Sequence, residues 1–495
     1  MIRSLAYLVF FPALAFGQLK TDPAWMDHMV LQRHQPITVS GKSTPGETVR
    51  LTFKGRSASA RTLPDSTWRI RIRPLPASAT PADMLIQAGK ARITLRDLLV
   101  GDVWLCLGQS NMEFPMRSEA HYAEARKNLN GQNIRFYNPK YAGKGIYNQP
   151  FPDSLSRLLD SGGFYTGGAW QPCDTASMPG MSAVAYYFAE KVTQQAGVPV
   201  GLVHLAIGGA PLETFIPKEA LLADSGFARK TRGNWLDNPA LPDWSRERGR
   251  QNRGHTESPE GPAHGYQPGF AFEKGLRAWT STAIAGILFY QGETNAQETA
   301  RVAEYGQLFA LMVNAYREYW PGAPCYFVQL SSIDSTGYRS QLWPQFRDGQ
   351  RIMLQHILRS GMAVSSDVGA RNDVHPTNKR IVGQRLAAWA LYDYYGMKNV
   401  VPSGPLAEKA VYADGTVTIF FTWAEGLKPA DGAWLKGFSL DGTHPAEAKI
   451  RGNTVEIRSP ERPAFVYYGW QPFTGANLVN AAGLPASTFR LRIEP

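Results

Sequence analysis

The stretch that decides the fold reads Val103-Trp104-Leu105-Cys106-Leu107-Gly108-Gln109-Ser110-Asn111-Met112. Its first five residues are continuously apolar, as expected of a β-strand buried on both faces in a parallel sheet. A glycine, a serine and two amides follow at once. A serine on a tight strand-to-helix turn presents its hydroxyl while its own N–H faces a bound carbonyl oxygen, and the glycine permits close backbone approach. Taken alone, the stretch is equally an ordinary Gly/Ser/Asn turn. The decision rests on what surrounds it.

Downstream, Val184, Phe188 and Val192 recur at helical spacing between Ser182, a fitting N-cap, and Gly197, a fitting stop. A second apolar strand follows over 200–207. Helical patterns over 300–320, 346–358 and 378–395 then alternate with strand patterns near 284–290 and 326–330. This alternation predicts βαβ units and a parallel sheet flanked by helices, the α/β class, over 98–400. Residues 218–270, rich in Gly, Pro, Asn and Arg, break the rhythm. They read as a structureless insertion over one face of the sheet.

Upstream, over 18–97, the period is two. Trp68-Arg69-Ile70-Arg71-Ile72-Arg73 has one apolar and one cationic face, and Val49, Leu51 and Phe53 alternate with polar neighbours. The same period returns over 401–495, with Val417, Ile419 and Phe421. Both segments predict β-sandwich-like modules, N-terminal and C-terminal to the α/β unit.

Residues 1–17, MIRSLAYLVFFPALAFG, place one cation before an apolar run that ends in small residues. That is the plan of a cleaved secretory leader, so export to the periplasm or the medium is expected, with cleavage near Gly17/Gln18. The run is too short to span a bilayer, and no later segment reaches that length. The 495 residues carry 52 Lys and Arg against 41 Asp and Glu, a net charge of +11, without any basic block. Nucleic-acid binding is therefore not expected. Cys106, Cys173 and Cys325 are too few for a disulfide framework, and no metal-ligand spacing occurs, so neither metal nor cofactor is expected.

Function in a parallel sheet collects at the carboxyl ends of its strands. Besides Ser110, three further places there carry unusual residues. Gly208-Gly209 closes the strand over 200–207 and can offer a backbone N–H to an oxyanion. Gln291-Gly292-Glu293 closes the next, supplying an amide donor and a carboxylate. Asp373-Val374-His375 lies in the loop before the last helix, a base with a nearby carboxylate. Phe114, Phe215 and Tyr290 stand close to these ends and could stack on a sugar face, or simply pack in the core.

GDVWLCLGQSNMEFPM, GLVHLAIGGAPLETFIP, GILFYQGETNA and DVHPTNKRIVGQRLA resemble the motif blocks of the SGNH-hydrolase superfamily, and within it the sialate O-acetylesterase family of carbohydrate acetyl esterases. HMVLQR at 28–33 and NLVNAAGLPASTFR at 477–490 are similar to that family's opening and closing segments. The resemblance implies a serine esterase that removes O-acetyl groups from a mono-, oligo- or polysaccharide, either a sialic acid or an acetylated hemicellulose, through an acetyl-enzyme. It implies Ser110 as nucleophile and His375 as base. It implies an oxyanion hole from the N–H groups of Ser110 and Gly209, with Gly208 as the neighbouring alternative, and the Gln291 amide. For the acid, Asn372 stands where many SGNH hydrolases have Asp. Asp373 is preferred to Glu293, and Asp367 comes third. Two other readings are a non-catalytic carbohydrate-binding protein on the same fold and a lipid- or thioester-directed hydrolase.

Overall fold

One strand organises the chain. In the computed structural model, which describes residues 18–129, 133–254, 258–432 and 434–494, β1 runs without interruption over Ala91–Gly108. The leader expected over 1–17 lies outside the described residues. The first part of β1 pairs antiparallel with Ser78–Ala88, which in turn pairs with Thr48–Phe53. Its last part is the middle of the parallel sheet. At Asp97 the strand is kinked by a left-handed residue (φ 56°), held by the Arg135 guanidinium at 3.0 Å and the His28 ring at 2.7 Å. The boundary expected between residues 97 and 98 thus falls within a single strand.

The central sheet adds β2 (Ile134–Tyr137), β3 (Trp170–Pro172), β4 (Val200–His204), β5 (Gly286–Tyr290), β6 (Cys325–Val328) and β7 (Ser360–Ala363) in the order β3-β2-β4-β1-β5-β6-β7. All neighbours are parallel except the edge strand β3, which runs antiparallel to β2. Every residue of β4, β5 and β6 is buried, which explains their unbroken apolar runs. Regular pairing stops at His204, short of the expected residue 207, yet Leu205 and Ile207 still donate to β1 at 3.0 Å.

The helices that bear on the site and its supports are α1 (Ser110–Glu113), α2 (Ala183–Ala196), α3 (Asp243–Arg253), α4 (Thr299–Tyr319), α5 (Trp343–His356) and α6 (Arg380–Trp389), with shorter helices and turns between. Ser182 caps α2 by accepting the Ala185 N–H at 3.2 Å, and Gly197 ends it in the left-handed region. The last helix is shorter than its pattern predicts. It begins two residues late, after the Pro376 loop, and gives way to a π-turn at Ala390–Tyr394.

The described residues of the insertion are ordered, contrary to the expectation of a structureless span. It contains Lys218–Ala223 and α3, and it buries Leu221, Phe227, Trp235, Leu236 and Tyr266. Its sequence hides this because the buried face of α3 is polar: Ser245, Arg248, Gly249 and Asn252.

The N-terminal sheets share one apolar core with the α/β unit, from Val39 and Trp68 through Trp104 to Leu386. The C-terminal segment forms a seven-stranded sheet around its own core of Val417, Ile419, Phe438, Val455, Tyr468 and Phe489. Among the described residues no helix is long and apolar enough to cross a membrane. The three cysteines are free and buried, and burial pushes the thiols of Cys173 and Cys325 up to about 12, so neither is a nucleophile.

Candidate active site

The turn that carries Ser110 is built by contact between β1 and β5. Gly108 has φ 130°, and a Cβ there would fall on the Tyr290 carbonyl, so only glycine lets the strands close. Gln109 then donates its N–H to that carbonyl at 2.9 Å, and the chain enters α1 with Ser110 half-buried. Ser182 Oγ, at the cap of α2, donates to the Met112 carbonyl at 2.6 Å and pins the turn from the other side.

His375 lies in the loop before α6. Its Nε2 is 2.7 Å from Ser110 Oγ, across 265 residues of chain. Burial holds the imidazole below its ordinary pKa, and the nearby Lys379 charge lowers it further, while Asp373 opposes both. A neutral imidazole at this distance can take the hydroxyl proton.

The three acids are placed very differently. Asp373 Oδ1 accepts the His375 backbone N–H at 2.8 Å but lies 3.9 Å from Nδ1, beyond hydrogen-bond reach, and its side chain is 59% exposed. Glu293 is buried, and Asn111 Nδ2 donates to its Oε1 at 2.5 Å. Among the described residues no hydrogen bond joins Glu293 to His375, and burial raises its pKa. Asp367 is taken by the Arg385 guanidinium through two bonds of 2.7 Å.

The oxyanion candidates also separate. The Gly208 N–H donates to the Tyr141 hydroxyl at 3.1 Å, whereas the N–H groups of Ser110 and Gly209 have no hydrogen-bond partner among the described residues. Gly209 has φ 72°, and a Cβ would meet the Trp244 ring and the Tyr266 hydroxyl. The Gln291 amide is not free. Its Nε2 faces three buried acceptors, Asn295 Oδ1 at 2.7 Å, Gln109 Oε1 at 3.1 Å and the Ala210 carbonyl at 3.3 Å, while its Oε1 accepts from Tyr305 at 2.9 Å.

Residues 269–391, which include Gln291, Glu293 and His375, match the family described as carbohydrate esterase, sialic acid-specific acetylesterase. Sialate O-acetylesterase of Rattus norvegicus is 25% identical over 429 residues, covering 77% of this chain and 75% of its own. That of Homo sapiens is 25% identical over 418 residues, covering 77% and 72%. A carbohydrate acetylesterase from Xanthomonas citri, solved by crystallography, is 29% identical and covers 95% of this chain and 99% of its own, with a TM-score of 0.77. The chain thus carries a sialic acid-specific acetylesterase region and is similar to sialate O-acetylesterases over about three quarters of its length. It is a carboxylic-ester hydrolase.

Several residues that shape this esterase's site were not singled out by the sequence reading. Tyr141, Tyr147, Phe151, Phe164 and Tyr266 line a narrow crevice with Gly208, beside the turn that carries Ser110. Tyr141 donates to Glu113 Oε2 at 3.1 Å, and Tyr266 donates to the Gly208 carbonyl at 2.6 Å. Trp244, from the insertion, closes over Gly209, and the Arg248 guanidinium lies between the Trp244 ring (4.9 Å) and the Tyr147 ring (5.2 Å). No local pattern marks these residues, because they converge from separate segments. Asn111 and Lys379 were legible in principle, since each lies inside a quoted motif. Phe215 and Tyr290 are fully buried and serve the core, whereas Phe114 is half-buried against the Lys379 ammonium.

Proposed function

We propose that this esterase removes O-acetyl groups from a carbohydrate through an acetyl-enzyme on Ser110. The observation that carries the reading is the 2.7 Å approach of His375 Nε2 to Ser110 Oγ. His375 takes the hydroxyl proton as Oγ attacks the acetyl carbonyl, and the tetrahedral oxyanion is met by the N–H groups of Ser110 and Gly209. Gln291 joins them by exchanging its long 3.3 Å bond to the Ala210 carbonyl for the oxyanion. The imidazolium returns its proton to the departing sugar oxygen. Water, deprotonated by the same imidazole, then attacks the acetyl-enzyme and releases acetate.

The SGNH-type arrangement is part of this proposal. Ser110 follows the central strand β1, while Gly209 and Gln291 follow its two neighbours, β4 and β5. Asp373 is proposed as the orienter of His375, since among the three acids it alone approaches the imidazole. We assign the chemistry to residues 98–400, with 18–97 and 401–495 as β modules bracing it, and we propose export on the leader pattern alone. The substrate is an O-acetylated sialic acid or an acetylated hemicellulose. A sugar is favoured over a lipid chain by the likeness to carbohydrate and sialate acetylesterases.

Ser110→Ala is expected to lower turnover of an aryl acetate by about a thousandfold or more with the fold intact. Rapid acid quench of the wild type should yield a Ser110-acetylated peptide. Near-wild-type turnover of the alanine variant ends the reading. Acetate release from acetylated sialic acid, xylan, xyloglucan and mannan then names the sugar.

A further inference from the structure

Directly beneath the Ser110–His375 pair lies a buried polar cluster that the reaction above leaves unused. Lys379, Asn111 and Glu293 are almost wholly inaccessible, at 0%, 0% and 2% exposure. The Lys379 ammonium donates to Asn111 Oδ1. The Asn111 amide nitrogen spends its two hydrogens on Glu293 Oε1 at 2.5 Å and on the Val374 carbonyl at 2.9 Å. Every hydrogen-bonding group of that side chain is thereby engaged. Asn111 adjoins Ser110 in the chain, and Val374 adjoins His375. The two halves of the reacting pair are thus joined through one amide, which is held in turn by one cation.

We propose that Lys379 is a positioning residue for the Ser110–His375 pair, acting through Asn111 and setting the charge field in which the imidazole titrates. The inference rests on the reading of Ser110 and His375 given above.

The surroundings of Lys379 say why a cation is held there. Its Nζ lies 4.8 Å from the Phe114 ring centroid and 5.6 Å from that of Tyr290, so two aromatic faces replace part of its hydration. Three carboxylates act on it: Glu293 from the loop after β5, Glu119 from the turn after α1, and Asp373 from its own loop. Glu119 Oε1 also accepts the Lys379 backbone N–H at 3.2 Å. Burial outweighs these attractions and brings the ammonium down to about 7, while burial raises Glu293. A lysine with an amide as its side-chain partner is therefore kept where its charge bears on His375.

That charge has a sign that matters. A cation beside the imidazole disfavours imidazolium, so His375 stays neutral and able to accept a proton at lower pH. A neutral residue in place of Lys379 lets His375 bind its proton more readily. The acidic limb of kcat/KM then moves to higher pH.

The experiment compares wild type, Lys379→Met and Lys379→Gln on an aryl acetate, with Ser110→Ala alongside. Lys379→Met is expected to lose about tenfold or more in kcat, as for a lost charged hydrogen bond, with KM nearly unchanged and the acidic limb moved upward. Lys379→Gln can still donate to Asn111 Oδ1, so it should regain part of kcat but keep the displaced limb. A purely structural role would lower Tm and leave the limb where it was. A folded Lys379→Met with wild-type kcat and limb overturns the proposal. If that variant does not fold, an unmoved limb in Lys379→Gln overturns it instead. In the wild type itself, NMR titration of His375 must give a value below the ordinary histidine value of about 6.5, and a value at or above it refutes the field argument. If Ser110→Ala remains active, the site reading fails; if only the lysine variants behave as wild type, the positioning role alone fails.

Discussion

At the scale of single residues, the imidazole beside Ser110 is held more by its backbone than by an acid. Asp373 accepts the His375 N–H at 2.8 Å and reaches Nδ1 only at 3.9 Å, from an exposed position. An exposed carboxylate at that distance contributes little Coulomb energy. Asp373→Asn is therefore expected to lower kcat/KM by about tenfold, far short of the roughly ten-thousandfold loss seen when a buried triad aspartate becomes Asn. The sign of its pH effect is fixed as well. Asp373 favours imidazolium, so its removal should shift the acidic limb to lower pH, opposite to removal of Lys379. Profiles of kcat/KM for the two variants check both directions. An upward shift for Asp373→Asn would contradict the field described here.

The legibility of the site follows the same division. Ser110, Gly209, Gln291 and His375 could be read because each follows an apolar strand or precedes a patterned helix, and the structure brings Ser110 and His375 into contact. Which carboxylate meets the imidazole could not be read. Spacing of two or three residues in an irregular loop does not fix a side chain's direction. Nor could the engagement of Gln291 be read, since its acceptors Gln109, Ala210 and Asn295 come from three different loops.

At the scale of elements, the insertion over 218–270 is tied to the loop after β5 by a buried ion network. Lys230 Nζ meets Glu213 Oε1 at 2.7 Å and Glu304 Oε1 at 2.5 Å, and it donates to the Ala240 carbonyl at 2.7 Å. Glu213 Oε2 accepts from Asn295 Nδ2 at 3.1 Å, and Asn295 Oδ1 accepts from Gln291 at 2.7 Å. Desolvation would raise Glu213, but the charge and hydrogen bond of Lys230 outweigh it and hold the carboxyl below its ordinary range. A depressed folded value stabilises the protein above the unfolded carboxylate pKa, and that stability is lost as pH falls below it. Lys230→Met strands Glu213 as an uncompensated buried charge, and a loss of about 3–5 kcal/mol is expected in denaturant titration at neutral pH. A loss below about 1 kcal/mol would place the pair among ordinary surface bridges. None of this was visible in the sequence, where 218–270 stands out only as rich in Gly, Pro, Asn and Arg. Its partners in the network lie outside the segment at Glu213, Asn295 and Glu304, so no local period encodes them.

At the scale of the whole molecule, the C-terminal sheet has its own core but not its own independence. Arg347, on α5, is fully buried and donates to the carbonyls of Gly469 (3.0 Å), Gln471 and Pro472 (3.2 Å). Arg351, one turn on, donates to the Ala407 carbonyl at 3.0 Å. Arg347→Met removes the donors and leaves buried carbonyls unmet, at about 3 kcal/mol or more. Calorimetry should then resolve an early transition for residues 401–495, absent from the wild type. A single transition at the wild-type Tm would mean that the two units are joined elsewhere.

The N-terminal sheets are joined more firmly still, because β1 belongs to both. Beyond the Asp97 kink, the extended stretch 98–108 spans about 35 Å, with Ser110 just past its tip. Side chains on such a stretch alternate faces, so loss of a single residue between the Asp97 kink and Gly108 turns everything beyond it over. Evolution can lengthen or trim the surrounding loops freely, but it cannot change the length of this segment by one without pointing the hydroxyl away from its imidazole. Indels should therefore be purged here even where each amino-acid exchange is tolerated, and the N-terminal module cannot be swapped between relatives as a cassette.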